Sequence, residues 1–305
     1  IPTKAIMSTV PFRIADNVDQ NATLEARLAR FPAQQIWLAS QRAVSYREAD
    51  SAASDALPLV LLHGIGSGAA SWVQQFEVLG ETRCVLAWDA PGYGASTPVE
   101  ADSPAAGDYA TVLKEWLDAL GIERCVLLGH SLGAIVAGAF AVTNPQLVAG
   151  LLLLSPAGGY GASPADVRES KRNQRLAMIK ELGPQGLAEK RSTNMLSANA
   201  SDEARAWVRW NMARVIPRGY VQATHLLANA DLASDLARYK GRISIAVGAD
   251  DAITPPEACE RLALTAGTRL QVVPGAGHAG YIEAPTAYTA IIDTFCRASD
   301  GQRSQ

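Results

Sequence analysis

The sequence predicts an α/β protein with a mostly parallel sheet, helices on both faces of that sheet and an inserted helical cap. Three observations support this fold class. From residue 57 onward, short apolar runs alternate with longer helical patterns, which is typical of βαβ units. The runs are apolar throughout, as expected for strands that are covered on both faces. Between residues 157 and 240 the alternation stops, and only helical segments follow one another.

The chain before this region predicts an antiparallel entry to the sheet. Residues 24–31 have the spacing of a short amphipathic helix, and residues 35–38 and 43–46 have the pattern of a two-stranded hairpin. Residues up to about 42 form an N-terminal extension in this interpretation. The first ten residues lack the basic head and apolar stretch of a signal peptide. We expect Met7 to be the natural start, after six vector-derived residues.

Six short apolar runs predict the strands of the parallel part of the sheet. Each run is rich in Val, Leu or Ile and is bounded by Gly, Pro or Asp. The runs cover residues 58–62, 84–88, 125–128, 150–154, 243–247 and 270–273. The helical patterns between and after them cover residues 109–120, 132–142, 256–266 and 288–296.

The predicted cap divides the core into two parts, residues 1–156 and residues 241–305. The cap itself spans residues 157–240, with helical segments around residues 166–182 and 202–215. Residues 160–240 contain 13 Lys and Arg against 8 Asp and Glu, whereas the rest of the chain contains 14 against 22. A basic cap over an acidic body can steer anionic substrates. The alternative, which we favour, is that these side chains form the solvated faces of surface helices.

Composition excludes several classes of partner. With 27 basic and 30 acidic side chains, the chain lacks the basic excess that phosphate neutralisation requires, so no nucleic-acid partner is expected. Its apolar runs are far shorter than the ~20 residues of a membrane-spanning helix. The cysteines Cys84, Cys125, Cys259 and Cys296 show no metal-binding spacing. We therefore expect buried free thiols, no metal and a cytoplasmic location. The sequence does not indicate an oligomeric state.

The most specific chemical signal is the pentapeptide Gly129-His130-Ser131-Leu132-Gly133, which has the pattern Gly-x-Ser-x-Gly. It stands between a predicted strand and a predicted helix, the context that such a motif requires. A nucleophile on so tight a turn needs small neighbours. The following helix N-terminus favours negative charge. These features predict that Ser131 is a catalytic nucleophile.

A serine hydroxyl needs a base to remove its proton, and the chain has four histidines. His130 adjoins the serine on the tight turn, His225 lies in the cap, and His63 ends a buried strand. His278 stands in a glycine-rich loop after the last apolar run, where an imidazole can lie over the carboxyl ends of the strands. His278 is therefore the predicted base.

An imidazole base needs a carboxylate that fixes its tautomer. Asp250 and Asp251 both follow the run at residues 243–247, which gives the chain order Ser, Asp, His. Spacing alone does not choose between the two aspartates.

These residues lie in motifs that resemble those of the α/β-hydrolase superfamily, from about Ala43 to Arg297. The register of one motif selects Asp251 over Asp250. The motifs are His63-Gly64, the Asp-x-x-Gly-x-Gly-x-Ser of residues 89–96, the Gly-x-x-Asp-x-x-x-Pro of residues 248–255, and the Gly-x-Gly-His of residues 275–278 with Glu283-Ala284-Pro285.

The resemblance also implies an oxyanion hole and a reaction. Backbone N–H groups of Leu132 and of Ile65, with Gly66 as the alternative to Ile65, are the implied donors. The implied reaction is hydrolysis of a small carboxylic ester or lactone through an acyl-enzyme, without a metal or organic cofactor. Two alternatives stay open: a carbon–carbon bond hydrolase of aromatic meta-cleavage products, and a non-catalytic ligand-binding protein on the same scaffold.

Two tryptophans of the cap, Trp207 and Trp210, are three residues apart on one helical face. They are candidates for the wall of an apolar substrate pocket. The alternative, which we favour, is that they attach the cap helix to the body of the protein.

Overall fold

The computed structural model describes residues 23–50 and 54–301, so the expected start at Met7 lies outside the described residues. Its sheet has eight strands in the order β1-β2-β4-β3-β5-β6-β7-β8. β1 and β2 form the predicted hairpin, β2 pairs antiparallel with β4, and the other pairs are parallel. The strands are β1 (Gln34–Trp37), β2 (Ala43–Ala49), β3 (Leu59–Leu62), β4 (Val85–Trp88), β5 (Cys125–His130), β6 (Val148–Leu154), β7 (Ile243–Gly248) and β8 (Leu270–Val273).

Helices cover both faces of this sheet. The α-helices are α1 (Leu24–Ala29), α2 (Val73–Leu79), α3 (Ala106–Ala119), α4 (Leu132–Thr143), α5 (Ala165–Arg191), α6 (Asp202–Met212), α7 (Pro217–Asn229), α8 (Leu232–Arg238), α9 (Pro256–Thr265), α10 (Gly280–Glu283) and α11 (Pro285–Asp300). Helices α3, α4 and α9 pack on one face, and α1, α2 and α11 pack on the other.

Strand β3 illustrates why its sequence is apolar without alternation. Val60 and Leu62 enter one hydrophobic cluster, whereas Leu59 and Leu61 enter the cluster on the opposite face. All four side chains are buried, as is typical of a parallel strand between two helical layers. The predicted mostly parallel α/β sheet is confirmed.

The insertion between β6 and β7 consists of α5 to α8. Helix α5 extends past the predicted segment, because the chain bends at Gly183 (φ 63°, ψ −178°) and then continues as helix. Pro184 follows the bend, where it begins a new helical stretch without needing a backbone hydrogen bond of its own. Helices α7 and α8 complete the insertion. The helix α2 of the core was not predicted from the sequence.

All four cysteines are free. Cys125, Cys259 and Cys296 are buried, but Cys84 is half-buried, so the prediction of buried thiols is wrong for that residue. Burial raises the pKa of each thiol to about 12, which leaves the thiols protonated at neutral pH.

Candidate active site

Ser131 lies on a strained turn between the end of β5 and the start of α4. Its backbone has φ 53° and ψ −115°, a left-handed conformation that costs energy for a residue with a side chain. Its N–H donates to the carbonyl of Leu154 at 3.1 Å, which ties the turn to β6. A Cβ at Gly129 or at Gly133 would collide with neighbouring backbone, so only glycine fits at these two positions.

His278 and Asp251 form a buried pair at the carboxyl end of the sheet. The Nδ1 of His278 lies 2.9 Å from Oδ2 of Asp251, and the two residues are 1% and 3% exposed. Asp250, one residue earlier, is exposed to solvent. Asp251 is thus the aspartate that contacts His278.

Thr254 completes the surroundings of this carboxylate. Its Oγ1 lies 2.9 Å from Oδ2 of Asp251 and 3.1 Å from Nδ1 of His278. The N–H groups of Ile253 and Thr254 both donate to Oδ1 at 2.9 Å. Burial by itself raises the pKa of Asp251, but the contacts with His278 and Thr254 outweigh it and lower that pKa to about 2. The carboxylate is therefore ionised over the neutral range.

The loop that contains His278 is anchored by Glu283. The carboxylate of Glu283 accepts from the N–H of Gly277 at 2.8 Å and from the N–H of Ser197 at 3.0 Å. It also contacts the hydroxyl of Ser197. One half-buried acid thus ties the histidine loop to the insertion.

A second loop, after β3, is held by His63 and Tyr93. The N–H of Ala90 donates to Nε2 of His63 at 3.0 Å, so the proton of this neutral imidazole is on Nδ1. The Nδ1–H of His63 then donates to the carbonyl of Gly64 at 2.8 Å. The hydroxyl of Tyr93 donates to the carbonyl of Ile65 at 2.7 Å. These bonds fix the peptides on both sides of Ile65.

The other two histidines make different contacts. The Nε2 of His130 lies 2.8 Å from the carbonyl of His278, and its ring packs on Tyr281. Burial, with a smaller effect of His278, lowers the pKa of His130 to about 3, so its imidazole is neutral. His225 lies on α7, and burial lowers its pKa as well. Neither ring bonds to Asp251 or to Ser131 within the described parts of the chain.

Ser131 and His278 line one cavity of about 530 Å³, a volume within the range of about 300–1,000 Å³ found for small-molecule sites. Ile65, Gly66 and Leu132 line it too. Leu132 is the first residue of α4, so its N–H has no acceptor within the helix. Across residues 23–50 and 54–301, no hydrogen bond joins Ser131 to His278, and no group of His, Cys, Asp and Glu is arranged to hold a metal ion.

Sequence comparison agrees with this architecture. Residues 59–291, well over half of the chain, match the sequence profile described as the alpha/beta hydrolase family. The chain belongs to this family.

Two curated proteins illustrate how this alpha/beta hydrolase relates to others by sequence. Over 108 residues it is 39% identical to 1-acylglycerol-3-phosphate O-acyltransferase ABHD5 of Homo sapiens. This aligned segment covers 34% of this chain and 31% of that protein. It is 28% identical over 192 residues to the (lyso)-N-acylphosphatidylethanolamine lipase of Bos taurus, which is 56% of each. The chain thus spans about a third to about half of the length of these relatives.

Solved structures of similar fold cover more of the chain. A thermophilic esterase from Thermogutta terrifontis has a TM-score of 0.78 and 24% identity, over 88% of this chain and 99% of that one. An enol-lactonase from Burkholderia xenovorans LB400 has a TM-score of 0.78 and 20% identity, over 87% of this chain and all of that one (100%). At these identities the likeness concerns the fold.

The two tryptophans of α6 do not line the cavity that contains Ser131, whereas Val208, Asn211 and Met212 do. Trp207 is buried, with the guanidinium of Arg27 over its ring at 5.1 Å. Trp210 donates from Nε1 to Glu25 at 3.2 Å. Both side chains therefore connect the insertion to the N-terminal helix α1, as the attachment hypothesis expects.

Sequence reasoning missed Thr254 and Tyr93 as parts of the site. Thr254 stands three residues after Asp251 on a turn before Pro255, and a hydroxyl at that spacing commonly bonds to such a carboxylate. Tyr93 lies within the motif of residues 89–96, yet nothing in the sequence indicates that it reaches Ile65. Helix α10, which connects Ala279 to the anchoring Glu283, is likewise not predicted from the sequence.

No helix in the described part of the chain has both the length and the apolar character needed to cross a membrane.

Proposed function

We propose that this protein is a serine hydrolase that cleaves a small carboxylic ester or lactone through an acyl-enzyme. Ser131 is the nucleophile, His278 the general base and Asp251 the acid that orients it. The observation that carries the proposal is the buried Asp251–His278 pair, 2.9 Å apart, at the wall of the cavity that also contains Ser131 on its strained turn.

In the first half-reaction, Nε2 of His278 takes the proton of the Ser131 hydroxyl as Oγ attacks the carbonyl carbon. Because Nδ1–H donates to Asp251, the neutral imidazole has its lone pair on Nε2. The N–H groups of Ile65 and Leu132 stabilise the developing oxyanion, each donor contributing about 10²–10³ in kcat. The intermediate collapses, the C–O bond breaks, and the imidazolium returns its proton to the leaving alkoxide.

In the second half-reaction, water replaces the alcohol. His278 takes a proton from water, the hydroxide adds to the acyl carbon, and collapse releases the carboxylic acid and restores Ser131. For a lactone, the alcohol and the acid remain in one product. The contact between Ser131 and His278 is expected to form once substrate is bound, since catalytic hydrogen bonds often tighten only in the complex.

The comparisons support carbonyl chemistry of this kind. The structural neighbours are named as an esterase and an enol-lactonase, and one curated relative is named as a lipase. Another relative is named as an acyltransferase. The volume of the cavity, about 530 Å³, favours a small substrate.

The test combines covalent labelling with turnover. A fluorophosphonate probe should add once to the wild-type chain, at Ser131, and should not add to Ser131→Ala. Ser131→Ala should lose about 10³-fold or more of its turnover of a 4-nitrophenyl ester, with an unchanged unfolding midpoint. A variant that retains more than about a hundredth of the rate would exclude this role.

A substrate panel then defines the bond that is cleaved. Phenyl esters and acyl lactones should be turned over by the wild-type enzyme, and a vinylogous diketone should not. Preferred cleavage of the diketone would instead assign the carbon–carbon hydrolase activity. If the wild-type chain shows neither labelling nor turnover, the alternative of a ligand-binding protein on this scaffold is supported instead.

A further inference from the structure

The insertion contributes two positively charged side chains to the wall of the cavity that contains Ser131. Arg175 and Arg191 both belong to α5, both line this cavity, and both are half-buried. The proposed hydrolysis of a neutral ester requires no charge at this wall.

Arg175 and Arg191 lie on the two sides of the bend in α5, and both line the same cavity. They are 16 residues apart, a distance of about 24 Å along a straight helix at 1.5 Å per residue. Gly183 lies midway between them and turns the chain. Burial, and next the charge of Arg175, lower the pKa of Arg191. The positive charge of Arg175 thus acts on the guanidinium of Arg191, and both groups belong to the wall of one cavity.

No carboxylate in the described part of the chain forms an ion pair with either arginine. Among the described residues, neither arginine takes part in an ion pair or a hydrogen bond. Asp231 also lines the cavity, but its Oδ1 accepts from the N–H of Ser234 at 3.2 Å and caps α8. A third cation, Arg261, lines the cavity from α9. Among the described residues, the lining of this cavity thus contains three arginines and one carboxylate, which caps a helix.

Two half-buried cations without a counter-ion are unfavourable, because burial removes water and each charge repels the other. An arrangement of this kind becomes favourable when an anion lies between the two groups. Guanidinium groups bind carboxylates and phosphates through paired, charge-assisted hydrogen bonds. Tyr160 and Tyr220, which line the same wall near Arg191, offer two more hydroxyl groups to such an anion.

We propose that Arg175 and Arg191 bind an anionic group of the substrate, a carboxylate or a phosphate, while the scissile carbonyl lies at Ser131. This specificity site deepens the proposed hydrolase function and rests on it. The preferred substrates would then be esters or lactones that carry a negative charge away from the bond that is cleaved.

A matched pair of esters tests the selectivity. The mono-4-nitrophenyl ester of glutaric acid ends in a carboxylate, and 4-nitrophenyl pentanoate has the same chain length without charge. Arg175→Gln and Arg191→Gln should each lower kcat/KM for the glutarate ester at least tenfold more than for the pentanoate ester. Arg191→Lys should recover part of the loss, because it restores the charge without the planar fork. Lys180→Gln, which removes an exposed charge from the same helix, should leave the ratio unchanged.

A binding measurement separates this inference from the hydrolase proposal. Glutarate or glycerol 3-phosphate should raise the Tm of the wild-type protein, and the double variant Arg175→Gln/Arg191→Gln should lose that shift. The compound that stabilises identifies the anion as carboxylate or phosphate. If neither ester is hydrolysed but the shift is present, the hydrolase proposal fails and the anion site stands. If neither compound shifts Tm, or the double variant keeps the shift, the anion site is overturned.

Discussion

The core and the insertion meet at one cavity, yet they are built in different ways. In the core, every residue of β3, β5 and β6 is buried. In the insertion, the 27 residues of α5 include three buried ones, Ile179, Leu187 and Ala188. The core therefore holds its groups through a rigid sheet and tight turns, whereas the insertion presents its side chains from a helix with little burial of its own.

This difference separates two kinds of task. The nucleophile, base and acid that we propose all follow core strands, where a displacement of 1 Å is costly for chemistry. The arginines that we propose for selectivity lie on the insertion, which also carries an excess of basic residues. In these proposals the core positions the reacting groups, with one anchor from the insertion at Ser197, and the insertion selects the charge of the substrate.

The largest expected effect concerns the two adjacent aspartates of the core. Asp251→Asn should lower kcat by roughly 10⁴, because an amide at this position favours the wrong tautomer of His278. Asp250→Asn, at an exposed position, should change kcat less than about tenfold. Steady-state kinetics of both variants on one ester gives the comparison. A loss of kcat of about 10⁴ in Asp250→Asn instead would show that Asp250, and not Asp251, is the acid that orients His278.

The next effect concerns attachment of the insertion. Trp207→Ala should lower the free energy of unfolding by about 3–5 kcal/mol, because it opens a cavity between α6 and α1, the helix that carries Arg27. Trp210→Ala loses the bond to Glu25 and the stacking of Arg214 at 3.6 Å, and should cost about 1 kcal/mol or less. Urea unfolding measures both variants. If the two variants lose the same unfolding free energy, the buried Trp207 does not attach the insertion more strongly than the half-exposed Trp210.

A third effect depends on pH. The pKa of Asp251 is about 2 in the folded state against 3.8 for the free side chain, so the unfolded chain binds its proton first as pH falls. This ionisation therefore stabilises the fold above about pH 4 and is lost between about pH 4 and 2, an effect of about 2 kcal/mol. The difference in unfolding free energy between wild type and Asp251→Asn should shrink from pH 6 to pH 3. A difference that is constant over this range would disprove the linkage.

The smallest effect concerns the loop beside the nucleophile. Tyr93→Phe removes the hydroxyl that bonds to the carbonyl of Ile65, so kcat should fall up to about tenfold while KM changes little. Tyr109→Phe is the matched control, since the hydroxyl of Tyr109 is buried and has no hydrogen-bond partner among residues 23–50 and 54–301. An equal loss of kcat in the two variants would mean that the bond to Ile65 does not position the loop.

The sequence predicts the core well because its signals are local. Apolar runs between turn residues locate each parallel strand, and the motifs around Ser131 and His278 lie directly after such runs. The predicted choice of Asp251 agrees with its contact to His278. Strand and helix ends differ by a few residues, because end positions depend on tertiary contacts that a local pattern does not contain.

The insertion is less predictable for a physical reason. Charges on a helix usually form its solvated face, and this rule predicts solvated arginines throughout the insertion. Whether Arg175 and Arg191 both reach the cavity depends on the backbone angles at Gly183, and a glycine in a helical pattern does not reveal the direction of a bend. The hydroxyl contacts of Thr254 and Tyr93 depend in the same way on where separate loops meet.

The place of the insertion has a consequence for how such a protein can diverge. Strands β6 and β7 are neighbours in the sheet, with Leu151 opposite Ile243 and Leu154 opposite Ala246. The chain between them can lengthen, shorten or be exchanged for another helical segment while this register is kept. A grafted segment that keeps the anchor between Ser197 and Glu283 would change selectivity while the loop of His278 stays held.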